Sequence, residues 1–350
     1  MRIAVIGLGR IGSRILRELR ARFPETIGVD RDQEKVQNLR AEGFPATVDP
    51  KEAAGAEVYL VAVSTGPEME GLFAAAAAIE PAPGGLVSVE STVVPGTMAR
   101  LAELFAARGL SAGRDYYLVH SPHRILFGEE ESVFGQPRVI GGITPACLER
   151  GVAFYRGLVP AVHPCAEIRL VEVCKLVENT LRYLEIAVAE ALALYCHEAG
   201  LDFEELRRLV ASKGNVRLLR AEYGIGGECL PKDARLLHEA TGCRLIADAM
   251  AIDEEYRSWL FREAFAPRVL VRGLTFKPGW RDLGYSRAVE LVERLRAAGC
   301  RVFVEDPLYG PEELEAMGFA AWRGEPVEKV ISWGRVEREV GALGQDPRHQ

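Results

Sequence analysis

Several things are scarce in this 350-residue chain, and each scarcity closes off a class of function. None of its seven cysteines forms a Cys-x-x-Cys pair, and its six histidines are scattered. No zinc-site spacing is present, so no metal is expected, and an odd, dispersed set of cysteines reads as free thiols. The tripeptide "HPC" at His163 to Cys165 reads as a strand end. No apolar run approaches the roughly 20 residues that span a bilayer, and the opening "MRIAVIGLG" lacks the apolar region and cleavage site of a signal peptide. No membrane association and a cytoplasmic location are the expectations. Lysine and arginine nowhere cluster and the formal net charge is −7, so nucleic acid is not an expected partner. Internal repeats and low-complexity tracts are also missing.

What is present is a chain that is 48% hydrophobic, long enough for two or three domains. Up to about residue 166, short β-branched runs alternate with helical patterns. "RIAVIG", "ETIGVD", "EVYLVAV", "GLVSVE", "DYYLVHS" and "PRVIGG" read as buried parallel strands, with amphipathic stretches such as "SRILRELRARF" between them. That is an α/β fold with a doubly wound, Rossmann-type parallel sheet. From Glu167 the texture changes to a helical pattern of about thirty residues, apolar on more than one side, that stops at Gly200. It reads as a spine within a central helical domain, 167–266, and as a surface for a second subunit. Strand signals return in "RVLVRGLTF" and "RVFVEDP", separated by the helix "SRAVELVERLRAAGC", which makes 267–350 a short C-terminal Rossmann-like α/β domain. The final "QDPRHQ" reads as a frayed end.

Four motifs carry the chemistry. "GLGRIG" follows the first strand and opens a helix, the context in which Gly7, Gly9 and Gly12 close a turn, admit a pyrophosphate and let helix pack on strand. Leu8, Arg10 and Ile11 complete that loop. Asp30 ends the second strand, where a carboxylate accepts from an adenosine ribose, so NAD is favoured over NADP; Arg31 beside it is a guanidinium that could meet a 2′-phosphate. Val63, Ser64, Thr65, Thr92 and Lys277 are the remaining candidates for cofactor contact. "VESTVVPGT" sets Glu90, Ser91, Thr92 and Pro95 at the end of a strand, on the sheet edge where ligands bind; Ser91 and Thr97 serve equally well as turn and capping residues. "CKLVENT" puts Lys175 and Asn179 four residues apart on one helix face, where a lysine can stabilise negative charge on a substrate oxygen. In "YGIGGECLPKDA", Cys229 follows three glycines and precedes Lys232 and Asp233. A thiol so placed can be held partly as thiolate by Lys232, with Asp233 orienting the thiol or a water.

These motifs, in this order, resemble those of the nucleotide-sugar 6-dehydrogenases, the family of the UDP-glucose, UDP-N-acetylmannosamine and GDP-mannose dehydrogenases. "GLGRIG" is similar to its cofactor loop, "ESTVVPGT" to STVPPGT, "CKLVENT" to AKLxENT, "GGECLPKD" to GGSCxPKD and "GLTFKPGWRDL" to LGLxFKPDTDDxR. The resemblance implies oxidation of a C6 alcohol of a nucleotide-sugar substrate to a carboxylate by two NAD⁺ in succession; the spine helix argues for a homodimer. The resemblance also implies Cys229 as nucleophile, Lys175 at the oxyanion, and Asn179, Thr92 and Asp233 as positioners of water and substrate. Two departures stand out. The family's SPER or SPEF is "SPHR" here, so His123 replaces a candidate carboxylate base, and imidazole can also act as a base near neutral pH. The family's DDxRES is "RDLGYS", with Gly284 and Tyr285 in place of Arg and Glu. Two other readings stay open: a β-hydroxyacid dehydrogenase of the 6-phosphogluconate type, which removes one hydride, and a non-catalytic nucleotide-binding relative.

Overall fold

A computed structural model describes residues 1–124, 132–276 and 279–340, with the side chains of 337–340 left aside. The chain divides into two compact units, Met1–Val177 and Glu178–Gln350. The "QDPRHQ" segment lies outside the described residues.

The first unit is built on an eight-stranded sheet. Its strands are β1 (Ile3–Ile6), β2 (Ile27–Val29), β3 (Ala46–Thr47), β4 (Val58–Val61), β5 (Gly85–Val89), β6 (Tyr116–His120), β7 (Arg138–Gly142) and β8 (Val162–Cys165), in the spatial order β3-β2-β1-β4-β5-β6-β7-β8. The helices are α1 (Gly12–Arg22), α2 (Gln33–Ala41), α3 (Glu70–Ala77), α4 (Thr97–Ala106) and α5 (Pro145–Tyr155). β1, β4 and β5 are buried along their whole length, as a sheet covered on both faces requires. Their Ile3, Val5, Val58, Leu60 and Leu86 share a core with Ile15, Leu16 and Leu19 of α1. The strand order reverses between β1 and β4, and that switch point opens a crevice at the C-terminal strand ends.

One expectation needs correction. "PRVIGG" forms β7, which runs antiparallel to β6 and parallel to β8. Among its described residues, the connection from Ser121 to Pro137 forms no helix. An antiparallel neighbour needs no helical crossover. His163 and Cys165 lie in β8, at the edge of the sheet.

Helix α6 (Ile168–Glu198) runs 31 residues, and the division between the units falls within it. The second unit continues with α7 (Phe203–Ala211), α8 (Cys229–Thr241) and α9 (Arg244–Ala264). It then forms β9 (Arg268–Arg272), α10 (Arg287–Ala297), β10 (Arg301–Glu305), α11 (Pro311–Ala316), β11 (Val327–Ser332) and β12 (Arg335–Val340). The four strands order as β10-β9-β11-β12, parallel except for the final hairpin. Val269, Val271, Val302, Val304 and Ile331 pack on Leu291, Val292 and Leu295 of α10 and on Tyr256 and Leu260 of α9, so helices and sheet share one core.

The segment leading to Cys229 rests on this sheet. The buried Tyr223 hydroxyl lies 2.5 Å from the Arg272 carbonyl and 3.1 Å from that of Ile331. Tyr256 donates its hydroxyl to the Glu222 carbonyl at 2.8 Å. At the β11–β12 turn, a Cβ on Gly334 would stand 1.6 Å from that same carbonyl oxygen, so the hairpin tip is pressed against the segment. Among the described residues no helix is long and apolar enough to cross a membrane.

Candidate active site

In the first unit the glycine loop is drawn tight by its own neighbours. Gly7 has φ +89°, a left-handed conformation natural to glycine, and its N–H donates to the Val29 carbonyl at 2.8 Å. A Cβ on Gly12 would lie 1.7 Å from the Gly7 carbonyl oxygen, so α1 can start there only as glycine. Gly9 is different. A Cβ at this position would meet none of the described residues within 4 Å, so they do not require a glycine there. The open space is what a pyrophosphate approaching the start of α1 would fill, and the loop therefore fits a dinucleotide.

Asp30 sits beside the loop. Its carboxylate accepts from the Leu8 N–H at 2.6 Å and from the Asp32 N–H at 2.9 Å. The Leu8 amide is thus committed to Asp30, and the Leu8 side chain is buried in the core. Each carboxylate oxygen keeps a lone pair for a ribose hydroxyl. Arg10 and Arg31 are exposed and Ile11 is half-buried at the start of α1.

Across the switch point, Val63, Ser64 and Thr65 meet the end of β5. Ser91 Oγ donates to the Val63 carbonyl at 2.7 Å, and Thr65 Oγ1 to the Thr92 carbonyl at 2.8 Å. Thr97 Oγ1 donates to the Val94 carbonyl at 2.7 Å, so the hydroxyls of Ser91 and Thr97 tie turns together. Glu172 on α6 accepts from the Gly96 and Met98 N–H groups, each at 2.7 Å, which anchors the start of α4 to the helix that carries Lys175. Lys277 lies outside the described residues.

Sequence reasoning did not anticipate the buried charge beneath this edge. Glu90 and Arg138 form an ion pair at 2.7 Å with both side chains wholly buried. Arg138 also donates to the Ser121 carbonyl at 2.9 Å, Tyr155 donates to Glu90, and Ser88 lies 2.7 Å from the Tyr155 hydroxyl. The available signal was a lone arginine and a lone glutamate in otherwise apolar strands, residues that stay buried only when paired. His123 follows in the same segment, 8% exposed, and neither ring nitrogen has a hydrogen-bond partner among the described residues. Burial, followed by the positive charges of Arg138, Lys175 and Arg14, holds its imidazole well below the usual histidine range. At neutral pH His123 is therefore a neutral group and a weak base.

In the second unit, Cys229 is exposed and is the first residue of α8. Asp233 lies one turn on and is fully buried. Its carboxylate accepts from Asn179 Nδ2 and from Lys232 Nζ, each at 2.5 Å. The Lys232 ammonium is thus paired with Asp233, where the spacing alone had suggested that it serves the thiol. A cavity of about 740 Å³ opens beside the loop, with Gly227, Glu228, Lys232, Tyr285 and Arg287 among its walls.

The first unit is of the class that binds dinucleotides at the ends of a parallel sheet. Residues 3–58 match the TrkA-N domain, and residues 169–252 match the UDP-glucose/GDP-mannose dehydrogenase family, central domain. The UDP-N-acetyl-D-mannosamine dehydrogenase of Salmonella typhi is 30% identical, with 84% of this chain and 82% of that one covered. The NDP-N-acetyl-D-galactosaminuronic acid dehydrogenase of Ralstonia nicotianae is 29% identical, with coverages of 84% and 79%. The solved structure of the UDP-D-ManNAc dehydrogenase from Pyrococcus horikoshii superposes with a TM-score of 0.80 at 26% identity, covering 95% of this chain and 89% of that one. The chain belongs to the UDP-glucose/GDP-mannose dehydrogenase family and is an enzyme of the nucleotide-sugar dehydrogenase kind, whose chemistry calls for a nicotinamide cofactor.

Proposed function

We propose that this protein oxidises the C6 alcohol of a nucleotide sugar to the carboxylate with two NAD⁺ in succession, through a covalent intermediate on Cys229. The observation that carries this reading is an exposed cysteine at the first position of α8 with the Asn179–Asp233–Lys232 cluster one turn behind it. Residues 1–166 would hold the cofactor at Gly7, Gly9, Gly12 and Asp30, 167–266 would present the thiol, and 267–350 would hold the nucleotide end. Bound NAD⁺ supplies the hydride acceptor.

The alcohol loses a hydride and a proton, leaving an aldehyde. The Cys229 sulfur adds to the carbonyl carbon while its proton passes to the oxygen, giving a thiohemiacetal. Lys175 would stabilise charge on that oxygen as the alkoxide forms. Loss of a second hydride and the hydroxyl proton gives a thioester. Water then adds, the C–S bond breaks, and acid and thiol are released. Asn179, Asp233 and Thr92 would orient substrate and water, and His123 would serve as a neutral hydrogen-bonding group.

A cytoplasmic homodimer is part of the proposal. On α6, Leu181, Val188 and Tyr195 are each more than half exposed and recur every seven residues, the spacing of a helix seam awaiting a partner. The substrate panel starts from the relatives' chemistry, with UDP-N-acetyl-D-mannosamine ahead of UDP-glucose and GDP-mannose. The test counts NADH released per substrate consumed. Two equivalents are expected, together with loss of acid formation but intact cofactor binding in Cys229→Ser. One equivalent, or full acid production by that variant, would remove the covalent four-electron scheme.

A further inference from the structure

The loop before Cys229 is gripped at the backbone by residues far along the chain. Ile225 is 1% exposed, and both sides of it are engaged: its N–H donates to Asp253 Oδ1 of α9 at 2.8 Å, and its carbonyl accepts from Arg287 Nε of α10 at 3.0 Å. These two side chains are linked behind the loop. Arg257 donates to Asp253 Oδ2 at 3.0 Å and to Glu290 Oε1 at 2.7 Å, and Arg287 donates to the other oxygen of Glu290. Ile225, Asp253, Arg257, Glu290 and Arg287 therefore close a ring of hydrogen bonds. A second tie comes from Gly227, whose N–H donates to the Tyr285 carbonyl at 3.0 Å. Tyr285 has φ +60°, a left-handed conformation that residues other than glycine seldom adopt. It stands in "RDLGYS", where this chain departs from its family's pattern.

We propose that Asp253 and Arg287 are positioning residues for the reaction, clamping the two sides of Ile225 so that the loop delivers Cys229 in one place. This rests on the reading of Cys229 as the nucleophile. Nothing else in the ring is backbone: its one main-chain client lies four residues before the thiol. Fixing a reacting atom is worth a great deal in rate, since a misplacement of about 1 Å can cost on the order of 100-fold. Arg257 and Glu290 act one step further back, holding the clamp residues to each other.

The test uses the full chain with Asp253→Ala, Asp253→Asn and Arg287→Met. Hydrogen exchange of the peptide spanning Tyr223 to Glu228 reads the clamp directly, since the Ile225 amide is one of its bonds. Exchange is expected to quicken about tenfold or more in Asp253→Ala, with kcat falling by roughly 10- to 100-fold and KM for NAD⁺ within about twofold. Asp253→Asn retains an acceptor oxygen and should recover part of both effects. Iodoacetamide labelling of Cys229 relative to the exposed Cys243 should change in Asp253→Ala, a ratio that general destabilisation would not move selectively. Should Asp253→Ala fail to fold, Arg287→Met breaks the other side of the same peptide and is read in the same way. Unchanged exchange at 223–228, or a rise spread evenly over α8, α9 and α10 with kcat per folded molecule retained, overturns the proposal. Failure of the nucleophile reading appears elsewhere, as acid formation by Cys229→Ser, and leaves the exchange result intact.

Discussion

The glycine loop at residues 7–12 and the cysteine loop at 224–229 are supported in opposite ways. The first is braced by its own neighbourhood, with Gly7 on Val29, Leu8 on Asp30 and Gly12 against Gly7. The second is braced from afar, by Asp253, Tyr285 and Arg287 at Ile225 and Gly227 and by the C-terminal sheet under Tyr223. The first kind of bracing lies within one strand–helix–strand unit, β1, α1 and β2, whose elements the apolar pattern already marks. Remote bracing is scattered over positions whose meaning appears only once the chain has folded.

The comparison can be broken most forcefully through Glu90. Glu90→Ala leaves the Arg138 guanidinium buried and unpaired, and unfolding in denaturant should show a loss of about 3–5 kcal/mol. Cofactor affinity of the folded protein should stay within about twofold if the glycine loop is self-braced. A large parallel fall in affinity would show that it too leans on a distant device.

In the second unit the corresponding probe is Glu190, wholly buried beside the Asp253 carboxylate. Burial, and then the neighbouring Asp253 carboxylate, push its carboxyl up to about 10. The folded form keeps the proton while the unfolded chain releases it near pH 4.5, so stability is full below that pH and is lost as pH rises toward 10. Glu190→Gln removes the penalty. It should be more stable than the parent by roughly 1–3 kcal/mol at pH 8, with the gap closing near pH 4.5, as read by thermal unfolding across that range.

A finer cut separates what the glycine loop does for itself from what it does for a ligand. Gly9→Ala meets no atom of the described residues within 4 Å, so the melting temperature should hold. Cofactor binding, followed by titration calorimetry, should weaken about tenfold, or roughly 1.4 kcal/mol. Gly12→Ala, with its overlap on Gly7, should instead harm both. The smallest effect is expected at His123. His123→Glu places a carboxylate where burial opposes ionisation and the charges of Arg138, Lys175 and Arg14 favour it, and turnover should be retained or rise a few-fold in steady-state assays.

Much of this architecture was legible beforehand. The period of the apolar runs identified β1, β2, β4, β5, β6, β9 and β10, and the unbroken pattern after Glu167 matched α6 to within a residue or two. The direction of β7 was not legible, because an apolar run announces a strand without saying which way it points. The β11–β12 hairpin was also missed: "VEKVIS" and "RVEREV" are broken up by charged residues and lack the continuous apolar run that marks the other strands. At the site, the pairing of Asn179 with Asp233 joins two separately quoted motifs. The engagement of Lys232 by that same carboxylate, and the grip of Asp253 on Ile225, depend on how helices pack, which spacing along one motif cannot report.

The contact between Gly334 and the Glu222 carbonyl makes the β11–β12 hairpin a footing for the segment that leads to Cys229. A chain stopped before Val327 would keep every motif named above and still lose the ledge on which residues 222 and 223 stand. Nonsense lesions, proteolytic trimming or bulky tags in this stretch would then disturb a loop far upstream of them.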